Sequence, residues 1–423
     1  MVKIAAEFRY QFSAKAGNAA TRTPETQPRI GFGAQWAGMG VEMLKSHPVF
    51  RDSVRRSVIY LKLFGCDWDS VKELLRPKGE SRLKSPIINQ PICTVFQIAL
   101  VNELRSWGVI PKRVVNHSSG EIGTAYSVSI FTYEDAVEVI YLRGKCLAGL
   151  ADLKGGIIAV GCSHKQASSI LEKHHGDFGG MVIITCVNFP NSITLFGDYN
   201  AFEKLRGILE GENIFARMLL IDVAYYSSHM QRVIGEYGAL MADIKPIPAS
   251  AEDPDRTIIF FSVTASKVAP KFMGNYYWVR NLVFPVLFKG AVKEMVSGNE
   301  PGANAAPATS KSLNLLIEIG PYNALGGPIE QILSHYNFNG INYKSAFNRL
   351  QNAINTILDF GAALFAEGVN GDFHCQLLTN LPPYPWNHFK IFRCDSRIAK
   401  KLLAPSFNTR NLLGSPVPIM DEI

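Results

Sequence analysis

The sequence predicts an α/β fold, a parallel-sheet subdomain into which a smaller ferredoxin-like α+β subdomain is inserted. Three observations carry this prediction. The apolar runs RVV (113–115), TIIFFSVTAS (257–266) and LNLLIEIG (313–320) have the composition of buried strands and are separated by helical patterns. The first of them enters a turn of small residues, NHSSGE (116–121), that leads into a helix. Between residues 155 and 222 the pattern changes to strand, helix, strand, strand, helix, strand.

Residues 1–28 read as a linker remnant, because 11–28 are rich in Ala, Thr, Gln and Pro without apolar periodicity. The folded part is expected to begin near Arg29. Helical periodicity follows in PICTVFQIALVNELRSWG (91–108) and TYEDAVEVIYLRGKCLAGL (132–150), on either side of the first strand. The insert is read from GIIAVGCS, SHKQASSILEKHH, MVIITCVNF, SITLFGD, YNAFEKLRGILEG and FARMLLID, in that order. From Pro246 the α/β pattern resumes, and a helix over SAFNRLQNAINTILDFGAALFAEG (345–368) closes the core. Beyond Gly371, LPPYPWNHFKIF (381–392) suits an extended segment lying along a surface. The expected division is a linker over 1–28, a core over 29–154 and 223–370, an insert over 155–222 and a second linker over 371–423, with the site in a cleft between core and insert.

Composition narrows the function. A net charge of +7 is spread along the chain with no run of basic residues, which argues against a nucleic-acid partner. No apolar stretch approaches the roughly 18 residues of a membrane span, and the N-terminus lacks a secretory apolar core. Seven cysteines, odd in number and never in a C-x-x-C pair, suggest neither a disulfide framework nor a metal site. A cytoplasmic location is expected.

The chemistry concentrates at Asn116-His117-Ser118-Ser119-Gly120-Glu121, a variant of G-x-S-x-G with Asn116 in place of the first glycine. A strand-to-helix elbow of this kind pushes the serine hydroxyl outward while the next backbone N–H faces the developing oxyanion, and it makes the larger subdomain hydrolase-like. The alternative is that Ser118 merely caps the following helix. Asn tolerates left-handed dihedrals better than other non-glycine residues, which favours survival of the elbow at Asn116.

GAQWAGMG (33–40), NQP (89–91), NHSSGEIGTAY (116–126), YLRGK (141–145), VNFPNSITLFGD (187–198), WVRNLVFPV (278–286), IEIGP (317–321) and LPPYPWNH (381–388) occur in one order. That series resembles the malonyl-CoA acyltransferase domain of fungal highly reducing polyketide synthases, over roughly residues 29–368. LPPYPWNH and NLLGSPVP (411–418) look like the segments that join this domain to a dehydratase, which makes the chain read as a fragment of a larger synthase. The resemblance implies that Ser118 attacks malonyl-CoA and that the acyl group passes to the phosphopantetheine thiol of an acyl carrier protein, with no bound cofactor. It implies that Arg143, 25 residues after Ser118, grips the free malonyl carboxylate through paired hydrogen bonds. Without it, Arg143 is a surface arginine on an amphipathic helix. Gln35, Gln90, Ser119 and Asn188 are the further substrate-binding residues it implies.

The chain departs from that family at two places. The family's first strand runs into G-Q-G-x-Q, whose first glutamine lends an oxyanion N–H; here RIGF meets GAQW directly, so most of that strand and that glutamine are missing, and Gln35 matches the second one. The general-base histidine is replaced by Tyr226 in Ala224-Tyr225-Tyr226-Ser227-Ser228-His229-Met230. A phenol with a pKa near 10 accepts the serine proton poorly at neutral pH. His229, three residues on, is either a substitute base or a histidine packed at a helix start. Two functions therefore stand: an impaired malonyl transferase acting with a carrier protein, and a non-catalytic synthase module that keeps the fold. A general serine hydrolase ranks below both, since acid and His partners in the order Ser, Asp, His are not apparent after Ser118.

Overall fold

The computed structural model describes residues 4–8, 35–150, 155–189, 191–220, 230–248, 257–297, 315–349 and 351–369. In chain order the first elements are β1 (Ile4–Phe8), α1 (Val41–Ser46), α2 (Pro48–Leu63), α3 (Ser70–Leu75), α4 (Pro86–Ser106), β2 (Arg113–Asn116), α5 (Gly120–Ser127) and α6 (Tyr133–Ala148). Then come β3 (Gly155–Val160), α7 (His164–Lys173), β4 (Val182–Phe189), β5 (Ser192–Asp198), α8 (Tyr199–Gly211), β6 (Ala216–Leu220) and α9 (Gln231–Leu240). The chain continues with β7 (Ile258–Phe261), β8 (Ser266–Lys267), α10 (Asn275–Val283), α11 (Phe288–Ser297), β9 (Leu315–Ile319), α12 (Gly326–His335), β10 (Asn342–Ser345) and α13 (Ala353–Ala366).

Local chemistry explains most of these boundaries. Pro86 occupies the first turn of α4, where no intrahelical N–H is required, so the helix begins there and carries Pro91 inside it. Thr132 and Asp135 form a reciprocal capping box at the start of α6, which stabilises it by about 1 kcal/mol. The helix expected over 345–368 is shorter, because Asn352 accepts from the N–H groups of Ile354 and Asn355 and starts α13 there, while Asn342–Ser345 pair as β10. The long strand expected over 257–266 breaks after Phe261: Ala265 takes a φ of 51° in the reversal that leads to β8.

The larger sheet has the order β10-β9-β1-β2-β7-β8. β10 and β9 pair in parallel, as do β2 and β7. Successive side chains take opposite faces. Val114, Ile259, Phe261, Leu315 and Ile317 enter a large core with α2, α4 and α6, whereas Val115, Phe260 and Leu316 meet α11 and α12 on the other side. The result is a layered α/β core in which β2, β7 and β9 are buried on both faces, as their continuous apolar runs require.

Within the span read as a linker, residues 4–8 form a strand, and the rest of 1–28 lies outside the described residues. β1 lies between β2 and β9, antiparallel to both, with Ile4 opposite Asn116 and Ile319, and Ala6 opposite Val114 and Ile317. The physical reason is that two strands separated by one strand width present facing rows of peptide groups, and those groups must be paired. A five-residue run of this composition is too short to announce that role by periodicity.

The smaller sheet has the order β4-β5-β3-β6, antiparallel throughout. With α7 and α8 on one face it is the ferredoxin-like arrangement, and Ile158, Val160, Ile193, Leu195, Phe202 and Leu205 form its own core. Its opposite face sends Ile157, Cys186 and Phe196 into the core beneath the larger sheet. The backbone ties the two together: Val187 N–H donates to the Val286 carbonyl at 3.1 Å, and Val286 N–H to the Thr185 carbonyl at 2.8 Å.

Away from the sheets, Glu73 of α3 is buried and accepts from Arg76 and Arg82. Burial alone would raise its carboxyl, but the hydrogen bonds and charges of Arg82 and Arg76 outweigh that and hold it below the usual range. A depressed carboxylate contributes stability above its unfolded pKa of about 4.3, and that contribution is lost as pH falls through the folded value. Glu73→Gln is therefore expected to lower the thermal midpoint at pH 7 and to narrow its deficit against the parent steadily below about pH 4. Thermal melts across that range check this, and a constant deficit would contradict it.

Candidate active site

β2 delivers the chain to the elbow and α5 carries it away. Between them Ser118 takes a φ of 61°, a left-handed conformation that costs a non-glycine residue roughly 1–2 kcal/mol. The strained residue is thus Ser118 itself; Asn116 remains in the strand, so its tolerance for left-handed dihedrals is not used. Asn116 is fully buried, and among the described residues neither its Oδ1 nor its Nδ2 has a hydrogen-bond partner. Ser119 holds the N-cap position of α5 without a side-chain cap, and Ser118 stands one residue before it. Backbone bonds tighten the turn, with Gly120 N–H donating to the His117 carbonyl at 3.2 Å and Glu121 N–H to that of Ser118 at 3.1 Å. The His117 ring stands edge-on to Phe288 of α11, with centroids 5.4 Å apart.

Glu121, three residues after the serine, is fully buried. It accepts from Ser262 N–H and Oγ, both at 2.8 Å, from the Tyr277 hydroxyl, and from Asn281 Nδ2 at 2.8 Å. Burial holds its carboxyl above the usual range, against the pull of the bonds from Tyr277, Ser262 and Asn281. Asn281 also donates to the Ser118 carbonyl at 3.2 Å and accepts from Arg143 Nη1 at 2.9 Å. One side chain of α10 therefore joins the elbow, a buried carboxyl and a buried guanidinium.

Arg143 is 1% exposed, so it is no surface arginine. α6 brings it in because Gly144 lets that helix press against the start of α4: a Cβ at 144 would lie 2.8 Å from the Pro86 carbonyl oxygen. Asn281 is its hydrogen-bond partner, and among the described residues its Nε has none and no carboxylate pairs with it. Tyr237 of α9 packs nearby; burial pushes its phenol well up, with the Arg143 guanidinium opposing. An unpaired charge in such a place is costly unless an anion completes it.

The other expected residues are placed less decisively. Gln35 donates to the Leu83 carbonyl at 3.4 Å and receives the Cys93 thiol at 3.7 Å. Gln90 is buried on the part of α4 that Gly144 touches, and its Oε1 has no partner among the described residues. Asn188 lies in β4 where its pairing with β5 shifts register, between Val187 and Phe189. Tyr226 and His229 fall outside the described residues, as does the segment from 371 onward. Asn281, Tyr277 and Ser262 were missed by sequence reasoning, although WVRNLVFPV was singled out as a motif. Among the described residues no group of three or more His, Cys, Asp or Glu is placed to hold a metal, and no helix is long and apolar enough to cross a membrane.

Comparison with known proteins bears on the same residues. The family described as acyl transferase domain matches residues 30–356. The chain is 49% identical to the highly reducing polyketide synthase ZEA2 of Gibberella zeae over 98% of its own length, and 48% identical to the reducing polyketide synthase hmp8 of Hypomyces subiculosus over 100%. It spans 18% of the length of each of these relatives. Among solved structures, the acyltransferase domain from module 8 of the salinomycin polyketide synthase superimposes with a TM-score of 0.71 at 25% identity, covering 81% of this chain and 75% of that one. The expected fold class is borne out.

Proposed function

The chain belongs to the acyl transferase domain family, and from that premise we propose that it takes a malonyl group from malonyl-CoA onto Ser118 and passes it to the phosphopantetheine thiol of an acyl carrier protein in polyketide biosynthesis. The observation that carries this reading is Arg143, a buried guanidinium with no carboxylate partner among the described residues, linked through Asn281 to the strained serine elbow. A donor with a free carboxylate supplies the missing anion while its thioester lies at Ser118.

In the proposed reaction Ser118 Oγ bonds to the thioester carbonyl carbon and the carbon–sulfur bond to CoA breaks. A base takes the hydroxyl proton and returns it to the departing thiolate. The N–H of Ser119, at the start of α5, faces the oxyanion. The carrier thiol then attacks the ester and regenerates Ser118. Gln90 and Asn188 line the acyl site in this reading, and no bound cofactor takes part. With Tyr226 in the base position the steps are slow, and His229 is the candidate substitute. The same replacement supports a second reading, a non-catalytic module that keeps the fold and binds a carrier protein or other synthase domains.

Intact-mass analysis and peptide mapping after incubation with malonyl-CoA distinguish the two. The expected result is a slowly formed malonyl adduct on Ser118 that is absent from the Ser118→Ala chain; no adduct after prolonged incubation favours the non-catalytic module. Arg143→Ala is expected to lower malonyl loading by about tenfold or more relative to acetyl loading, the loss typical of a charged hydrogen-bond partner. Equal losses for both donors would contradict the assigned role.

A further inference from the structure

We propose that Asn281 keeps Arg143 available to the carboxylate of the acyl donor by standing between that guanidinium and the buried carboxyl of Glu121. The inference rests on the malonyl-transfer reading and adds a positioning residue that sets donor specificity.

Arg143 on α6 and the Glu121 carboxyl on α5 lie in one water-poor region, each bonded to Asn281, where the guanidinium would favour direct pairing with an ionised Glu121. They do not pair. Asn281 occupies the space between them, its Oδ1 accepting from Arg143 Nη1 at 2.9 Å and its Nδ2 donating to Glu121 Oε2 at 2.8 Å. An amide suits this place because one end accepts, the other donates, and the group has no net charge. A carboxylate here would pair with Arg143 and cancel it, and an alkyl side chain would leave the guanidinium without its acceptor and free to close on Glu121.

The surroundings make Asn281 a fixed spacer. It is 1% exposed on α10, whose neighbouring Trp278 is anchored by an indole bond to the Met273 carbonyl at 2.9 Å. Glu121 has no need of Arg143, since Ser262 and Tyr277 already supply three hydrogen bonds. The third contact, from Asn281 Nδ2 to the Ser118 carbonyl, references the guanidinium to the nucleophile through a single side chain. Asn281 thereby sets both the freedom of Arg143 and its distance from the elbow.

The test measures binding in the full-length Ser118→Ala chain, which cannot acylate. Calorimetric titration with malonyl-CoA and with acetyl-CoA yields an affinity ratio, expected to favour malonyl-CoA. Asn281→Ala is expected to reduce that ratio by about tenfold, because Arg143 closes on Glu121. Adding Glu121→Gln to Asn281→Ala removes the competing anion and is expected to recover the ratio at least in part. A merely structural role predicts the opposite, a double variant worse than either single one. The near-isosteric Asn281→Asp gives a second reading should the alanine variant not fold: it retains an acceptor for Arg143, yet the ratio is expected to fall. An undiminished ratio in Asn281→Asp, or no recovery in a folded double variant, would overturn the spacer role alone. A parent chain with no preference for malonyl-CoA would overturn the malonyl reading and the inference with it.

Discussion

Tyr226→His is expected to raise the rate at which malonyl-CoA acylates Ser118 by roughly three orders of magnitude or more. A phenol of ordinary pKa near 10 is ionised at pH 7 in about one molecule in a thousand, whereas an imidazole of pKa near 6.5 is mostly in its accepting form. In serine enzymes, loss of the histidine that serves the nucleophile costs up to about a millionfold, against roughly a hundred- to a thousandfold for one oxyanion donor. The base is therefore expected to account for more of the rate than the oxyanion donor. Full recovery is expected to require the absent glutamine segment between Phe32 and Gly33 as well. The two repairs act on one transition state, so their effects need not add. Rapid-quench labelling followed by intact-mass analysis measures the rate, and Ser118→Ala in the same background must abolish the gain. Brisk labelling of the unaltered chain would refute the impairment, and His229→Ala would then show whether that histidine is the base.

Removal of residues 1–8 is expected to be the most damaging change to the fold. β1 pairs with β2 on one side and with all of β9 on the other, in the middle of the larger sheet. Without it, two rows of peptide groups lose their partners, at about 1–3 kcal/mol for each group left buried and unsatisfied. The thermal midpoint is expected to fall by on the order of 10 °C or more. Amide hydrogen exchange should accelerate selectively at Val114–Asn116 and Leu315–Ile319, the strands that hold the elbow and Glu318. Addition of a peptide spanning residues 1–8 should restore protection, since an open slot accepts an extended strand. Unchanged exchange at both strands in the shortened chain would refute this strand order.

The residues of the sequence that announced themselves did so through local chemistry. The apolar runs at 113–115 and 315–319 marked strands buried on both faces, and the order of elements over 155–222 marked the ferredoxin-like unit, because period and spacing are properties of adjacent residues. The NHSSGE turn pointed to Ser118 for the same reason, since small residues around one serine are what a strained elbow needs. Arg143 was identified from its place in a series of motifs, while its burial depends on the close approach of α6 to α4 at Gly144.

Two features were decided by the tertiary structure alone. β1 became a central strand because the pairing needs of β2 and β9, more than a hundred residues from it, exceed any local preference of IAAEF. Asn281 joins Ser118, Glu121 and Arg143 although it lies 163, 160 and 138 residues from them. Sequence pattern reports which face of an element is apolar; it does not report which distant polar groups a buried amide will meet, because that follows from how whole helices pack.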